Sequence, residues 1–139
     1  MNLNIGVFLM NYHSMMKNYK VVDVQSKLEE ADSHEFINIV LRELLTNMRT
    51  LSLSIKDGPG VSDIKSKAFS QSLSSIMILQ SSLDFEKGQP IANNLNDLYN
   101  YCKKEIINGF KELKSDGIDT AILVITDIFE AWVEIKKKY

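Results

Sequence analysis

The sequence predicts an all-α fold: an antiparallel up-down four-helix bundle with an extended N-terminal arm. Two observations predict it. Four stretches carry apolar residues at helical spacing, alternating steps of four and three in the first and the last, which keeps one side of an α-helix facing a partner. Between them stand short joints of Gly, Pro, Ser and Asp, and joints this short make neighbouring helices antiparallel. Residues 1–32 are assigned to the arm and 33–139 to the bundle.

The arm, Met1 to about Asp32, shows no sustained period and no capping signal, so it reads as irregular chain. Order is expected from Ala31-Asp-Ser-His-Glu35, where Asp32 or Ser33 can accept the free N–H groups of a first turn and Glu35 stands three residues after Asp32, as in a capping box. The first stripe is Ile37, Leu41, Leu44, Met48, Leu51 and Ile55. Lys56-Asp-Gly-Pro-Gly60 stops that helix, because Pro59 cannot continue the hydrogen-bond ladder. Ser62 or Asp63 can cap the second helix, whose stripe is Phe69, Leu73, Ile76, Met77, Leu79 and Leu83. Its many serines are mediocre helix formers, so packing must hold it.

Glu86-Lys-Gly-Gln-Pro90 is the second joint, and proline suits the start of the third helix. The third stripe is Ile91, Leu95, Leu98, Cys102, Ile106 and Leu113. Lys114-Ser-Asp-Gly117 is the third joint, with Gly117 the expected C-terminal stop and Asp119 the expected cap of the fourth helix. The fourth stripe is Ala121, Ile125, Ile128, Trp132 and Ile135, and Lys136 to Lys138 complement the negative end of the helix dipole.

Composition removes several classes of function. Sixteen basic residues against eighteen acidic ones leave a net charge of -2, without the basic footprint of a nucleic-acid-binding domain. Cys102 is the only cysteine, so neither an intrachain disulfide nor a cysteine metal cage is available. The apolar run Ile5-Gly-Val-Phe-Leu-Met10 has no basic residue before it and is far short of the ~20 residues a membrane span needs. A cytoplasmic protein without direct membrane insertion is expected.

No catalytic or cofactor motif is complete. His34-Glu35 begins like a zinc-protease helix, but Asn38 stands where the second imidazole must be. No Glu-x-x-His pair of the di-iron bundles occurs, and Gly58-Pro-Gly60 is too short to cradle a phosphate. His34 reads as a first-turn residue. The expectation is a non-enzyme without cofactor or metal.

At about 100° per residue, Ile39 and Leu53 fall behind the first stripe, and Ile78, Ile107 and Leu123 fall off the others, with Tyr101 beside one. Single exposed apolar residues are ordinary. Joined together, they could form a surface that takes an apolar helix. Periodicity alone leaves both readings open.

Ser82-Leu-Asp-Phe-Glu-Lys-Gly-Gln-Pro-Ile-Ala-Asn-Asn-Leu-Asn-Asp-Leu-Tyr-Asn-Tyr101 is more specific. It closely resembles the pattern S-L-D-x-E-x-G-G-x-I-A-x-N-L-x-x-L-Y-x-Y of the flagellin export chaperone family, departing from it at Gln89-Pro90. Ala31-Asp-Ser-His-Glu35 resembles the family's first-helix start without its usual proline, and Ala131-Trp132 with Ile135 resembles its A-W-x-x-I ending. Met16-Lys-Asn-Tyr19 with Val22-Asp-Val-Gln-Ser26 resembles its N-terminal segment. The resemblance runs from about Met16 to Ile135, so Met15 or Met16 stands beside Met1 as a possible start.

The resemblance implies a chaperone that binds the disordered C-terminal segment of flagellin, prevents premature polymerisation, and docks on the cytoplasmic domain of the flagellar type III export gate. The other class of function is a structural or regulatory bundle that does not bind flagellin. Candidate partner-binding residues are Met16 and Tyr19 in the arm, and Ile91, Asn94, Leu95, Leu98, Tyr99 and Tyr101 on the third helix. Ile91, Leu95 and Leu98 also sit on the core stripe, so packing competes with contact for them. Tyr99 and Tyr101 offer an apolar body with a polar tip, which suits an interface. Asn94 could bond an extended peptide or satisfy a helix end. Met16 and Tyr19 have no core reason to be apolar, and docking back onto the bundle would give them one.

Overall fold

The computed structural model describes residues 33–58 and 62–138, which form four α-helices and, among the described residues, no strand. They are α1 (Ser33–Lys56), α2 (Asp63–Ser81), α3 (Ile91–Glu112) and α4 (Asp116–Lys138). α1 packs against α2 and α4, α3 against the same two, and α1 and α3 meet only glancingly. That cyclic arrangement is the antiparallel bundle the stripes predict. The arm, with Met16 and Tyr19, and also Pro59 and Gly60, lie outside the described residues.

α1 is the best-buried helix. All six residues of its expected stripe are buried, and Phe36, Val40, Leu45 and Ser52 join them. The face is wider than one stripe because the helix has a partner on each side. Each large apolar side chain so buried contributes ~1.5–3 kcal/mol. Glu35 binds Arg42 Nη2 at 3.2 Å along the outer side of α1, while the expected partner Asp32 lies outside the described residues.

α2 begins as expected, with the Ser62 hydroxyl accepting from the Lys65 N–H at 3.1 Å. Its inward face differs from the expected stripe. Met77 is 63 % exposed, whereas Ile78 is buried. The register is set by the buried run Ala68, Ser72, Ser75, Leu79, in which the small Ala68, Ser72 and Ser75 side chains allow close helix approach. Counting only large apolar residues overlooks such a run.

α3 ends earlier than expected. Leu113, not Gly117, takes the left-handed conformation (φ 57°), and the Lys114 N–H bonds the Gly109 carbonyl at 3.0 Å. Gly109 is needed for packing: a Cβ there would stand 2.5 Å from Ile118 Cδ1. Gly117 lies in the first turn of α4, as does Asp119, so Asp119 is not the cap. Its carboxylate instead accepts from the Ser52 hydroxyl (2.5 Å) and Lys56 Nζ (2.9 Å) across the bundle.

A groove between the first, third and fourth helices

The buried side of α3 is Ala92, Tyr99, Cys102, Ile106 and Gly109, a stripe rotated from the expected one. Ile91 and Leu95 are consequently half-buried, and Leu98 is 39 % exposed. These side chains project to the side of the core, towards α4. On α4 two rows at steps of four face them, Val124-Ile128-Trp132 and Asp127-Ala131-Ile135, and Ile37 and Leu41 of α1 complete the lining. The result is an open groove of about 360 Å³ in which Asp127 is the only charged lining residue. Asp127 makes no hydrogen bond or ion pair among the described residues.

The floor is neutral. Burial, and after it the neighbouring Cys102, raises the Tyr99 phenol well above its ordinary range. Burial, and after it Glu105, pushes the Cys102 thiol up to about 12. Both stay protonated at physiological pH, so neither Tyr99 in the lining nor Cys102, buried outside it, is an activated nucleophile. Cys102 Sγ lies 3.7 Å from the Ala121 carbonyl, as a small buried hydrophobe between α3 and α4.

At one end of the groove Trp132 is clasped by His34. The imidazole and indole stack with centroids 4.5 Å apart and planes 9° from parallel. His34 Nε2 lies 2.9 Å from the Trp132 carbonyl, and Trp132 Nε1 donates to the His34 carbonyl at 3.0 Å. His34 is indeed a first-turn residue, but a buried one with a partner 98 positions away. Nothing in the local sequence announces that pairing.

Of the candidate residues, the structure brings Ile91, Leu95, Leu98 and Tyr99 together in the groove, with Tyr99 in its floor. Tyr101 is 37 % exposed and outside the lining. Asn94 is exposed on the first turn of α3; its N–H bonds the Pro90 carbonyl at 3.2 Å. Leu53, Ile107 and Leu123 are exposed as expected, while Ile39 packs partly against the core. Sequence reasoning put Ile37, Leu41, Ile128, Trp132 and Ile135 on core stripes, noted Ala131 only in the family-like ending, and did not single out Val124 or Asp127. The i, i+4 rows on α4 were the available signal.

Much of the motif at the second joint builds a turn. The buried Ser82 hydroxyl donates to the Leu79 carbonyl at 2.5 Å, and Asp84 Oδ1 accepts from the N–H groups of Glu86 and Lys87, both at 3.0 Å. The Gly88 N–H bonds the Asp84 carbonyl at 2.8 Å, and Ala92 bonds Gly88 at 2.8 Å. This sets the angle at which Ile91 and Leu95 enter the groove. Gln80 then ties α2 to α3 by donating to Asn96 Oδ1 (2.9 Å) and Asn100 Oδ1 (2.8 Å).

Among the described residues no three His, Cys, Asp or Glu side chains gather as metal ligands, and no helix is long and apolar enough to cross a membrane. The geometry is that of a binding surface for apolar side chains.

Comparison with known proteins agrees with the motif. The chain is 29% identical over 126 residues to the flagellar secretion chaperone FliS of Salmonella typhimurium, covering 90% of this chain and 92% of that one. It is 26% identical over 124 residues to the flagellar secretion chaperone FliS of Vibrio cholerae, covering 89% and 90%. No solved structure gives a significant match. The family model described as flagellar protein FliS matches residues 15–139, and the chain therefore belongs to the FliS family.

Proposed function

We propose that this protein is a cytoplasmic export chaperone for flagellin, and that the groove between α1, α3 and α4 receives apolar side chains from flagellin's C-terminal segment. The observation that carries the reading is the groove itself: on a member of the FliS family, a site of about 360 Å³ with one charged lining residue suits an apolar peptide segment. Each apolar anchor seated there gains ~1.5–3 kcal/mol. Several anchors are needed, because ordering a disordered segment costs about 2–5 kcal/mol or more. Held in this way, the segment is unavailable for polymerisation, and the complex passes to the cytoplasmic domain of the export gate. We propose further that Met16 and Tyr19 of the arm, outside the described residues, compete with the client for the groove.

Calorimetric titration with full-length flagellin and with flagellin lacking its C-terminal segment tests the reading. The full-length protein should bind with a negative heat-capacity change, the mark of buried apolar surface. Equal affinity for both proteins would refute it. Removing residues 1–30 should leave affinity equal or higher, since a lid lowers apparent affinity by the fraction of time it is closed. A substantial loss of affinity in a folded truncation would instead make the arm part of the grip.

A further inference from the structure

Trp132 borders about 360 Å³ of open groove, and that raises a physical problem. A large aromatic side chain beside an apolar gap gains contacts by swinging into it, which would close the groove. His34 is outside the groove lining and holds the indole in place. A carbonyl oxygen only accepts hydrogen bonds, so His34 Nε2 carries a proton and donates to the Trp132 carbonyl, while indole Nε1 donates to the His34 carbonyl. Each side chain thus grips the other residue's backbone, and each carbonyl has a second lone pair for its own helix. The near-parallel stack fixes the ring plane, and the Nε1 bond fixes the direction of the indole edge.

We infer that His34 is a positioning residue for the groove: its stacked, doubly bonded clasp keeps the Trp132 indole in the wall and out of the site. The effect on a client rests on the function proposed above; the effect on Trp132 does not. If removing the clasp leaves the groove open about one-tenth of the time, apparent affinity falls about tenfold. Stacking carries most of the effect of removing His34, because the Nε2 bond reaches the Trp132 backbone and not its indole, while the indole Nε1 bond reaches a backbone carbonyl that every substitution retains.

The test compares the full chain carrying His34→Ala, His34→Phe or His34→Gln. Trp132 is the only tryptophan, so its fluorescence reports this side chain alone. In His34→Ala, time-resolved anisotropy should gain a fast nanosecond component, and affinity for the apolar dye 8-anilinonaphthalene-1-sulfonate and for flagellin's C-terminal segment should each fall about tenfold. His34→Phe, which restores the stack, should return both affinities to within about threefold of the parent and remove the fast component. His34→Gln keeps a donor without a ring and should resemble His34→Ala, which covers the case in which the alanine variant does not fold. Unchanged anisotropy and dye affinity in a folded His34→Ala or His34→Gln would overturn the inference. So would loss of binding that merely follows loss of helical circular dichroism across all three variants. If the parent chain binds the dye but not flagellin, the proposed function fails while the dye still decides the role of His34.

Discussion

α1 and α4 are fastened at both ends of their shared seam, by two unlike devices. At one end His34 and Trp132 stack and exchange hydrogen bonds, with 7 % and 4 % of their surface exposed. At the other end Asp119 accepts from Ser52 and Lys56, and the two charged side chains of that cluster are 43 % and 49 % exposed. The first contains no ion pair, and breaking it leaves buried donors and acceptors stranded. The second keeps its charges in water, where the ion pair is screened and adds little. The groove lies beside the first. A site that must hold its shape is set against the fastening that salt touches least.

The comparison breaks most sharply at Trp132. Trp132→Ala removes a buried aromatic, its stack on His34 and the indole Nε1 bond, and should cost ~3–5 kcal/mol of stability in chemical denaturation. A cost below about 1 kcal/mol would mean that this end of the seam contributes little to holding α1 against α4. Ser52→Ala tests the other end at its buried member. Ser52 is 2 % exposed and bonded to a carboxylate, a contact worth ~1.5–3 kcal/mol when dry and nearer 1 kcal/mol here, because Asp119 is half in water. If Ser52→Ala equals Trp132→Ala, the two ends are equivalent and the contrast fails.

The same contrast explains what was legible in the sequence. The α1 stripe could be read because that helix is covered on two sides and every large apolar residue on it that the period selected is inside. On α3 the period is off by one position: it selects Leu98 for the core, as a scale of side-chain hydrophobicity suggests, where the structure buries Tyr99. The residues so misplaced, Ile91, Leu95 and Leu98, are the ones that open into the groove. A binding groove needs apolar residues that the core does not use, so periodicity alone counts them as core. In α2 the error ran the other way, since Ser72 and Ser75 set the register and a count of apolar residues passes over serine. The His34–Trp132 clasp and the Ser52–Asp119 contact were illegible for another reason. Each joins residues far apart in sequence, and local spacing carries no record of such a pairing.

The smallest expected effect concerns the charge on Asp119, and pH reads it. Burial raises the pKa of this carboxyl, but the hydrogen bonds from Ser52 and Lys56, together with the Lys56 charge, outweigh burial and hold it below the usual carboxylate range. A carboxyl whose folded value is depressed stabilises the fold fully above its unfolded value, about 3.9 for aspartate. That contribution disappears as pH falls through the lower folded value. Asp119→Asn should therefore be slightly less stable than the parent at neutral pH, and the gap should hold steady down to about pH 5. It should narrow below about pH 4 as the parent's carboxyl becomes protonated. Raising the salt to about 1 M, where the screening length is near 3 Å, should remove the Lys56 share and leave the Ser52 share. The clasp at the far end has no charged pair to screen, so the cost of Trp132→Ala should be the same in high and low salt. Denaturation of both variants at pH 7 and pH 3, with and without salt, separates the two fastenings. A gap for Asp119→Asn that persists unchanged at low pH would show that the carboxylate is not what holds its end of the seam.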